Sequence, residues 1–265
     1  MRLGISTSSF FNRINTESAF DIIRQMHIDT AEVYLTTFSE YEQRFLDALV
    51  PRKGNLNVYS VHPEGAQFEP ELFSTNSRVR ADAELFFKKV CAAARALGAK
   101  YYTFHGPVRL KKTSYEFDFV RLGDRVNQLS EIARSFGISL AYENVFYGYG
   151  NNPDYFRDLL RQCPNLACSL NVKNALLAHI DPIIFLDAMQ GRIAIIYLCD
   201  VCKDMSTALP GEGKYNFEKF FSELYKRNIV NTCMIIEANS RDYRDLNQLK
   251  AAYDYLAALW IKTRN

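Results

Sequence analysis

The chain has 265 residues, of which 48% are hydrophobic, and its 32 basic and 30 acidic residues leave a net charge of +2. This balance provides no global field that would favour nucleic acid or an anionic membrane as a partner. The N-terminal apolar run is too short for a signal peptide, and no apolar stretch approaches the roughly 20 residues of a membrane span. We therefore expect a cytoplasmic protein without nucleic-acid or membrane partners.

Strand-like and helix-like segments alternate along the whole chain. The predicted strands are Leu3–Thr7, Thr30–Leu35, Leu56–Val61, Tyr101–Phe104, Ile138–Val145, Ala167–Leu170, Ile193–Cys199 and Thr232–Glu237. The predicted helices are Glu17–Met26, Glu40–Leu49, Ser77–Leu97, Phe117–Phe136, Pro153–Arg161, Pro182–Met189, Phe217–Arg227 and Leu246–Ile261.

Eight strands that alternate with eight helices, without a Pro/Ser-rich linker, predict an α/β protein whose residues 1–265 form a single (β/α)8 TIM barrel domain. An open doubly wound sheet is the alternative. It is less favoured because Ser6-Thr-Ser-Ser9 stands after the first strand, where such sheets carry a glycine-rich dinucleotide turn.

Two of the predicted strands end in the same kind of residue. The run Ile138–Val145 contains Glu143 followed by an asparagine, and Cys233–Asn239 ends in Glu237, alanine and asparagine. The carboxyl ends of barrel strands meet at the active face, so two glutamates there suggest a paired-carboxylate site. A solvated charge or a helix cap is the structural alternative for either glutamate alone.

Other polar side chains fall at predicted strand ends and are candidate site residues. They are His62, His105, Asn171, Asn174 and Asp200. Arg109, Lys111 and Lys112 follow His105 and could meet a phosphate, although a plain basic loop is the simpler interpretation.

Taken together, these motifs resemble those of the xylose isomerase-like barrel superfamily. The matching segments are Val-His62-Pro, Phe-His105-Gly, Tyr-Glu143-Asn, Tyr-Leu-Cys-Asp200, Leu-Pro-Gly-Glu-Gly213 and Ile-Ile-Glu237. That superfamily is associated with sugar and sugar-phosphate isomerases and epimerases and, more distantly, with endonuclease IV. The order and spacing of the segments carry the resemblance, because each is short.

The resemblance also implies a divalent metal site, and this sequence differs from the family at two of its four ligand positions. In the epimerase branch the ligands come from strands five to eight, and the matching positions here are Glu143, Asn171, Tyr197 and Glu237. An asparagine oxygen and a neutral tyrosine hydroxyl are weak ligands for hard cations. We expect Mn²⁺, Mg²⁺ or Zn²⁺ to bind weakly through the two glutamates and Asn171, or not at all.

Without a cation, two facing glutamates repel each other, which predicts a raised pKa for one of them. Glu143 and Glu237 are the predicted catalytic residues. Lys173 is a candidate replacement cation if its side chain turns inward, and a solvated loop lysine if it does not. The residues expected to contact substrate are His62, His105, Asn171, Asn174, Lys173, Tyr197 and Asp200.

Two functions are compatible with these features. The first is an isomerase or epimerase that moves a proton at the carbon next to the carbonyl of a small sugar, sugar phosphate or sugar derivative. The second is a non-catalytic barrel, descended from such an enzyme, that binds a carbohydrate or related metabolite. The two retained glutamates favour the enzyme. The loss of two of the four family metal ligands, at Asn171 and Tyr197, favours the binding protein. The identity of the sugar and the oligomeric state stay open.

Overall fold

A computed structural model describes residues 2–107, 118–189 and 191–264. Within these residues, eight parallel strands close into a barrel in the neighbour order β1, β10, β7, β6, β5, β4, β3, β2. The barrel strands are β1 (Arg2–Ser6), β2 (Thr30–Leu35), β3 (Asn57–Pro63), β4 (Tyr101–Phe104), β5 (Ser139–Glu143), β6 (Ala167–Asn171), β7 (Ile193–Leu198) and β10 (Cys233–Ile236). The predicted (β/α)8 barrel is confirmed.

The helices follow the strands and surround them. They are α1 (Thr16–Gln25), α2 (Gln43–Lys53), α3 (Ser77–Leu97), α4 (Phe119–Ser135), α5 (Pro153–Gln162), α6 (Val172–Leu177), α7 (Pro182–Ala188), α8 (Phe217–Lys226) and α9 (Leu246–Arg264). None of the described helices combines the length and the apolar character needed to cross a membrane.

Strand β7 and helix α3 illustrate why these segments fold as they do. All six side chains of β7 are buried, because a parallel barrel strand is covered on both faces and can be apolar throughout. Helix α3 begins after Asn76, whose side chain accepts a hydrogen bond from the backbone of Arg78, and it ends at Gly98 in the left-handed conformation.

Two elements were not predicted. The short helix α6 directly follows β6, and a small antiparallel hairpin, β8 (Asp200–Val201) and β9 (Thr207–Ala208), follows β7. The described residues do not include Arg109, Lys111 and Lys112, nor Phe117, the predicted first residue of the fourth helix.

The strand register places the polar strand ends side by side. Glu143 of β5 pairs with Ser169 of β6, and Asn171 at the end of β6 pairs with Tyr197 of β7. The end of β10 adjoins the end of β7, where Ile236 pairs with Leu198. The residues that follow β5, β6 and β10 therefore surround one opening of the barrel.

Candidate functional site

A cavity of about 520 Å³ opens at the carboxyl ends of the barrel strands. Carboxylates, amides, histidines and a lysine line its inner part, and aromatic rings line its rim. The lining residues used below are Tyr34, His62, Glu64, His105, Glu143, Phe146, Tyr147, Lys173, Asn174, Glu237 and Arg241. The cavity therefore offers a mixed polar and aromatic surface of the kind that suits a small hydroxylated ligand.

The two predicted glutamates meet in this cavity. Glu143 ends β5 and is 1% exposed, whereas Glu237 directly follows β10 and is 9% exposed. The side-chain Nδ2 of Asn171 lies 2.8 Å from Glu143 Oε1 and 2.8 Å from Glu237 Oε2, and it donates to both. One amide thus joins the two carboxylates.

Residues of α6 complete the bonding of the pair. Asn174 Nδ2 donates to Glu143 Oε1 at 2.8 Å, and Lys173 Nζ donates to Glu237 Oε2 at 3.0 Å. Asn171 is the N-cap of α6, because its Oδ1 accepts the backbone N–H of Asn174 at 3.2 Å. The alternative of a solvated loop lysine is excluded, since the Lys173 side chain is only 15% exposed and turns inward.

The electrostatics of Glu143 differ from the prediction. Burial raises the pKa of Glu143, but the neighbouring His105 and His62 and the Asn171 amide outweigh it and lower this pKa to about 2. The expectation that repulsion raises the pKa is therefore corrected for Glu143. The prediction considered only the negative charge of the second glutamate. It left out the two imidazoles and the amide, which stabilise the ionised form of Glu143.

His62 and His105 lie beside the carboxylates and contact each other. Their Nε2 atoms are 2.8 Å apart, and Tyr147 Oη lies 3.0 Å from His105 Nδ1. Burial lowers the pKa of His62, but the charges of Glu32, Glu143 and Glu237 outweigh burial and raise it to about 10. His62 is thus held in its protonated form between carboxylates.

Sequence interpretation missed two buried glutamates next to these histidines. Glu32 lies 3.6 Å from His62 Nδ1 and accepts hydrogen bonds from Ser6 and Ser60. Glu69 accepts the backbone N–H of His105 at 2.8 Å and fixes the loop after β4. A glutamate inside the apolar run Thr30–Leu35 was a usable signal for Glu32, whereas no pattern marked Glu69.

A profile of the xylose isomerase-like TIM barrel family matches residues 19–262. The chain belongs to the xylose isomerase-like TIM barrel family. The uncharacterized protein MJ1614 of Methanocaldococcus jannaschii is 24% identical over 269 residues, which cover 93% of this chain and 96% of that protein.

Two solved structures share the fold of this xylose isomerase-like barrel. D-psicose 3-epimerase with D-tagatose from Clostridium cellulolyticum H10 has a TM-score of 0.78 at 15% identity, covering 98% of this chain and 99% of that one. The IOLI protein with a binding zinc atom has a TM-score of 0.77 at 16% identity, covering 99% and 98% of the two chains.

Three residues predicted to contact substrate, Asn171, Tyr197 and Asp200, do not line the cavity of this xylose isomerase-like barrel. Asn171 uses its polar atoms on the two glutamates and the backbone of Asn174. Tyr197 is fully buried in the barrel interior, where its hydroxyl bonds to Glu32 and Thr103. Asp200 is fully buried and accepts hydrogen bonds from the backbone of its own loop. The prediction of a direct ligand contact is corrected for all three, because their polar atoms already have protein partners.

The structure brings together other possible metal ligands beside the set expected from the xylose isomerase-like resemblance. Asn171 directs its N–H donors at both glutamates and its oxygen at the backbone of Asn174. In this arrangement a donor, and no metal-ligating oxygen, faces the two carboxylates. Two other groups of described residues could hold a metal ion. They are His62 with His105 and Glu143, and Glu32 with His62 and Glu237.

The first of these groups has donor atoms that suit a transition metal. Two imidazole nitrogens and one carboxylate oxygen form a common zinc set. The buried Glu143 Oε2 accepts no well-aligned hydrogen bond, and His105 Nε2 lies 3.3 Å from it, so an imidazole nitrogen and a carboxylate oxygen of this group are already side by side. A metal bound there has to displace a proton from His62, because a ligating imidazole is neutral.

Proposed function

We propose that this protein is an isomerase or epimerase that acts on a small sugar or sugar derivative by proton transfer at the carbon next to a carbonyl. One observation carries the proposal. Glu143 and Glu237 both line the cavity and are both bonded to the amide of Asn171, so two potential proton carriers face one ligand-sized space. Paired carboxylates of this kind serve as general acid and base.

The proposed reaction uses the two glutamates in turn. One carboxylate removes the proton from the carbon next to the carbonyl, and the electron pair of that C–H bond forms a carbon–carbon double bond while the carbonyl oxygen becomes negative. Once the second glutamate has taken up a proton from the first or from solvent, it returns a proton to carbon. Glu143 suits the role of base because it lines the cavity and its Oε2 atom has no hydrogen-bond partner.

Other residues of the cavity would bind and orient the sugar. The acceptor Glu64 and the donors Asn174 and Tyr147 line the space and suit sugar hydroxyls, while the ring of Phe146 is 44% exposed at the rim and suits the apolar face of a sugar. A divalent ion held by His62, His105 and Glu143 would polarise the substrate carbonyl when bound.

The comparisons support this class of reaction. The chain belongs to the xylose isomerase-like family and shares its fold with D-psicose 3-epimerase. Zinc is the metal that we propose to test first, since the IOLI protein of the same fold contains it.

A second candidate function is non-catalytic binding of a carbohydrate. The observation that favours it is the Asn171 amide, which satisfies one oxygen of each glutamate and so withdraws those oxygens from proton transfer. Such a protein would bind sugar in the same cavity without turnover.

Solvent exchange separates the two functions. Candidate ketoses, free and phosphorylated, are incubated with the protein in deuterated water, with and without EDTA, and deuterium at the carbon next to the carbonyl is followed. Exchange that is lost in Glu143→Gln and in Glu237→Gln supports the enzyme. Measurable sugar binding without exchange refutes the enzyme and supports the binding protein. Loss of exchange in EDTA that zinc or Mn²⁺ restores assigns the reaction to the metal-bound form.

A further inference from the structure

Lys173 is the buried ammonium of the candidate site. It lines the cavity, its side chain is 15% exposed, and its Nζ lies 3.0 Å from Glu237 Oε2. Its ammonium thus forms an ion pair with one of the two predicted proton carriers at the wall of the cavity.

The hydrogen bonds of Lys173 leave donors to spare. A lysine ammonium carries three N–H groups, and within the described ranges 2–107, 118–189 and 191–264 only Glu237 accepts one of them. Asn171, in contrast, uses its Nδ2 on the two glutamates and its oxygen on a backbone N–H. Asn171 holds the carboxylates together, and Lys173 retains the capacity to bind a ligand.

The other cations of the cavity are placed less well for this task. Arg241 lies at the exposed rim, in the loop after β10, and makes no hydrogen bond to either glutamate in the structure as described. His62 is surrounded by three carboxylates, and its Nε2 contacts His105. Among the described lysines and arginines that line the cavity, Lys173 is the one that combines a direct bond to one proton carrier with free N–H groups.

We propose that Lys173 is a catalytic residue that donates an N–H to the substrate oxygen on which negative charge develops. This role rests on the proposed function above. As a glutamate takes the proton from carbon, the C–H electron pair moves toward the carbonyl and the oxygen becomes an enolate anion, which accepts the Lys173 hydrogen bond. When the carbon is reprotonated the electron pair returns, the carbonyl re-forms and the lysine remains an ammonium, so no proton is lost from it.

The test compares Lys173→Met and Lys173→Arg with wild type in the deuterium-exchange assay, in the presence of EDTA. Removing one preorganised donor to a developing oxyanion lowers kcat by about 10²–10³-fold, and we expect this loss in Lys173→Met with a change in KM of less than about threefold. Lys173→Arg keeps the charge and should recover part of kcat. Lys203→Met, an exposed lysine of the loop after β8, is the matched control and should match wild type.

A binding measurement adds a readout that a purely structural lysine would not affect. A sugar-derived hydroxamate, whose anion resembles the enolate, should bind wild type at least about tenfold tighter than the neutral sugar in EDTA, and Lys173→Met should lose this preference. Exchange by Lys173→Met within threefold of wild type, or an unchanged hydroxamate preference, overturns the inference alone. Wild-type exchange that is absent in EDTA and restored by zinc or Mn²⁺ assigns the oxyanion to the metal and overturns the inference alone. Wild-type protein that exchanges no sugar with or without metal overturns the proposed function, and the role of Lys173 with it.

Discussion

Glu143 and Asp200 are both fully buried carboxylates near the ends of two barrel strands, β5 and β7, yet their bonding differs. Asp200 accepts four backbone N–H groups, two on each oxygen, from Val201, Gly211, Gly213 and Tyr215. Glu143 accepts side-chain amides on Oε1 alone, and its Oε2 has no hydrogen-bond partner.

The difference shows which feature separates a structural carboxylate from a candidate functional one. Backbone donors close the loop 201–215 around Asp200 so tightly that a Cβ atom on Gly213 would lie 2.3 Å from Asp200 Oδ1. Side-chain amides hold Glu143 through Oε1, and its buried Oε2 lies 3.3 Å from His105 Nε2 instead of against backbone donors. Burial and position at a strand end are common to both residues, so neither property identifies the site.

The largest effect is expected from Glu143→Gln. The glutamine oxygen can still accept from Asn171 and Asn174, but the side chain can no longer take a proton, so deuterium exchange should fall about 10³-fold. The unfolding free energy should fall as well, because the lowered pKa of Glu143 stabilises the folded protein only while the group is ionised. Exchange rates and urea denaturation of the same samples provide the measurement. Glu42→Gln, on the exposed surface, is the control, and more than a tenth of wild-type exchange in Glu143→Gln would contradict the assignment.

Asp200→Asn is expected to lower stability and to leave sugar binding unchanged. Its amide group places a donor against backbone N–H groups, so we expect the unfolding free energy to fall by about 2–3 kcal/mol. Limited proteolysis of the segment 201–216 should accelerate, while sugar affinity stays within about threefold. The exposed Asp47→Asn is the control and should change stability by less than about 0.5 kcal/mol. A large loss of sugar affinity without a loss of stability would show that Asp200 contacts the ligand after all.

Glu32 is another buried carboxylate, and its hydrogen-bond donors are hydroxyl groups. Ser6, Ser60 and Tyr197 donate to it inside the barrel. Glu32→Gln replaces one accepting oxygen with a donor, but hydroxyl groups can rotate and accept, so the expected loss is about 2 kcal/mol, smaller than for Asp200→Asn. Urea denaturation measures it, and a loss larger than that of Asp200→Asn would mean that the ionic contact with His62 dominates.

The smallest effect is the pH dependence that Glu143 contributes. Because its pKa is lowered from 4.5 to about 2 on folding, it stabilises the protein above pH 4.5, and this contribution is lost as pH falls toward about 2. Between pH 6 and 3 in EDTA, wild-type stability should therefore fall more steeply than that of Glu143→Gln. The difference is at most one proton, or about 1.4 kcal/mol per pH unit. Parallel curves would show that this pKa is not lowered.

Much of the fold was predictable because its signals are local and repeated. The structure gives α3 as Ser77–Leu97 and β4 as Tyr101–Phe104, the same bounds as predicted, since a long apolar periodicity and a stop at Gly98 define them. Helix α6 has six residues, fewer than two turns, so its sequence shows no period.

The candidate site was predictable in part. That Glu143 and Glu237 meet follows from barrel geometry, because both follow apolar strands and all strand ends share one face. Tyr197 and Asp200 were misplaced because sequence alternation does not reveal the depth of a residue in the barrel or the partners that its loop supplies. The inward turn of Lys173 depends on the N-cap bond of Asn171 to α6, which no sequence pattern specified.

The contact between His62 and His105 limits the charge of the site. A hydrogen bond between two Nε2 atoms 2.8 Å apart contains a single hydrogen, so the two rings together hold at most three ring protons and one positive charge. A fourth ring proton can enter only if the contact between the two Nε2 atoms breaks. Because Nδ1 of His105 meets Tyr147 at the rim and Nδ1 of His62 lies 3.6 Å from Glu32, this one shared hydrogen connects the rim of the cavity with a carboxylate inside the barrel.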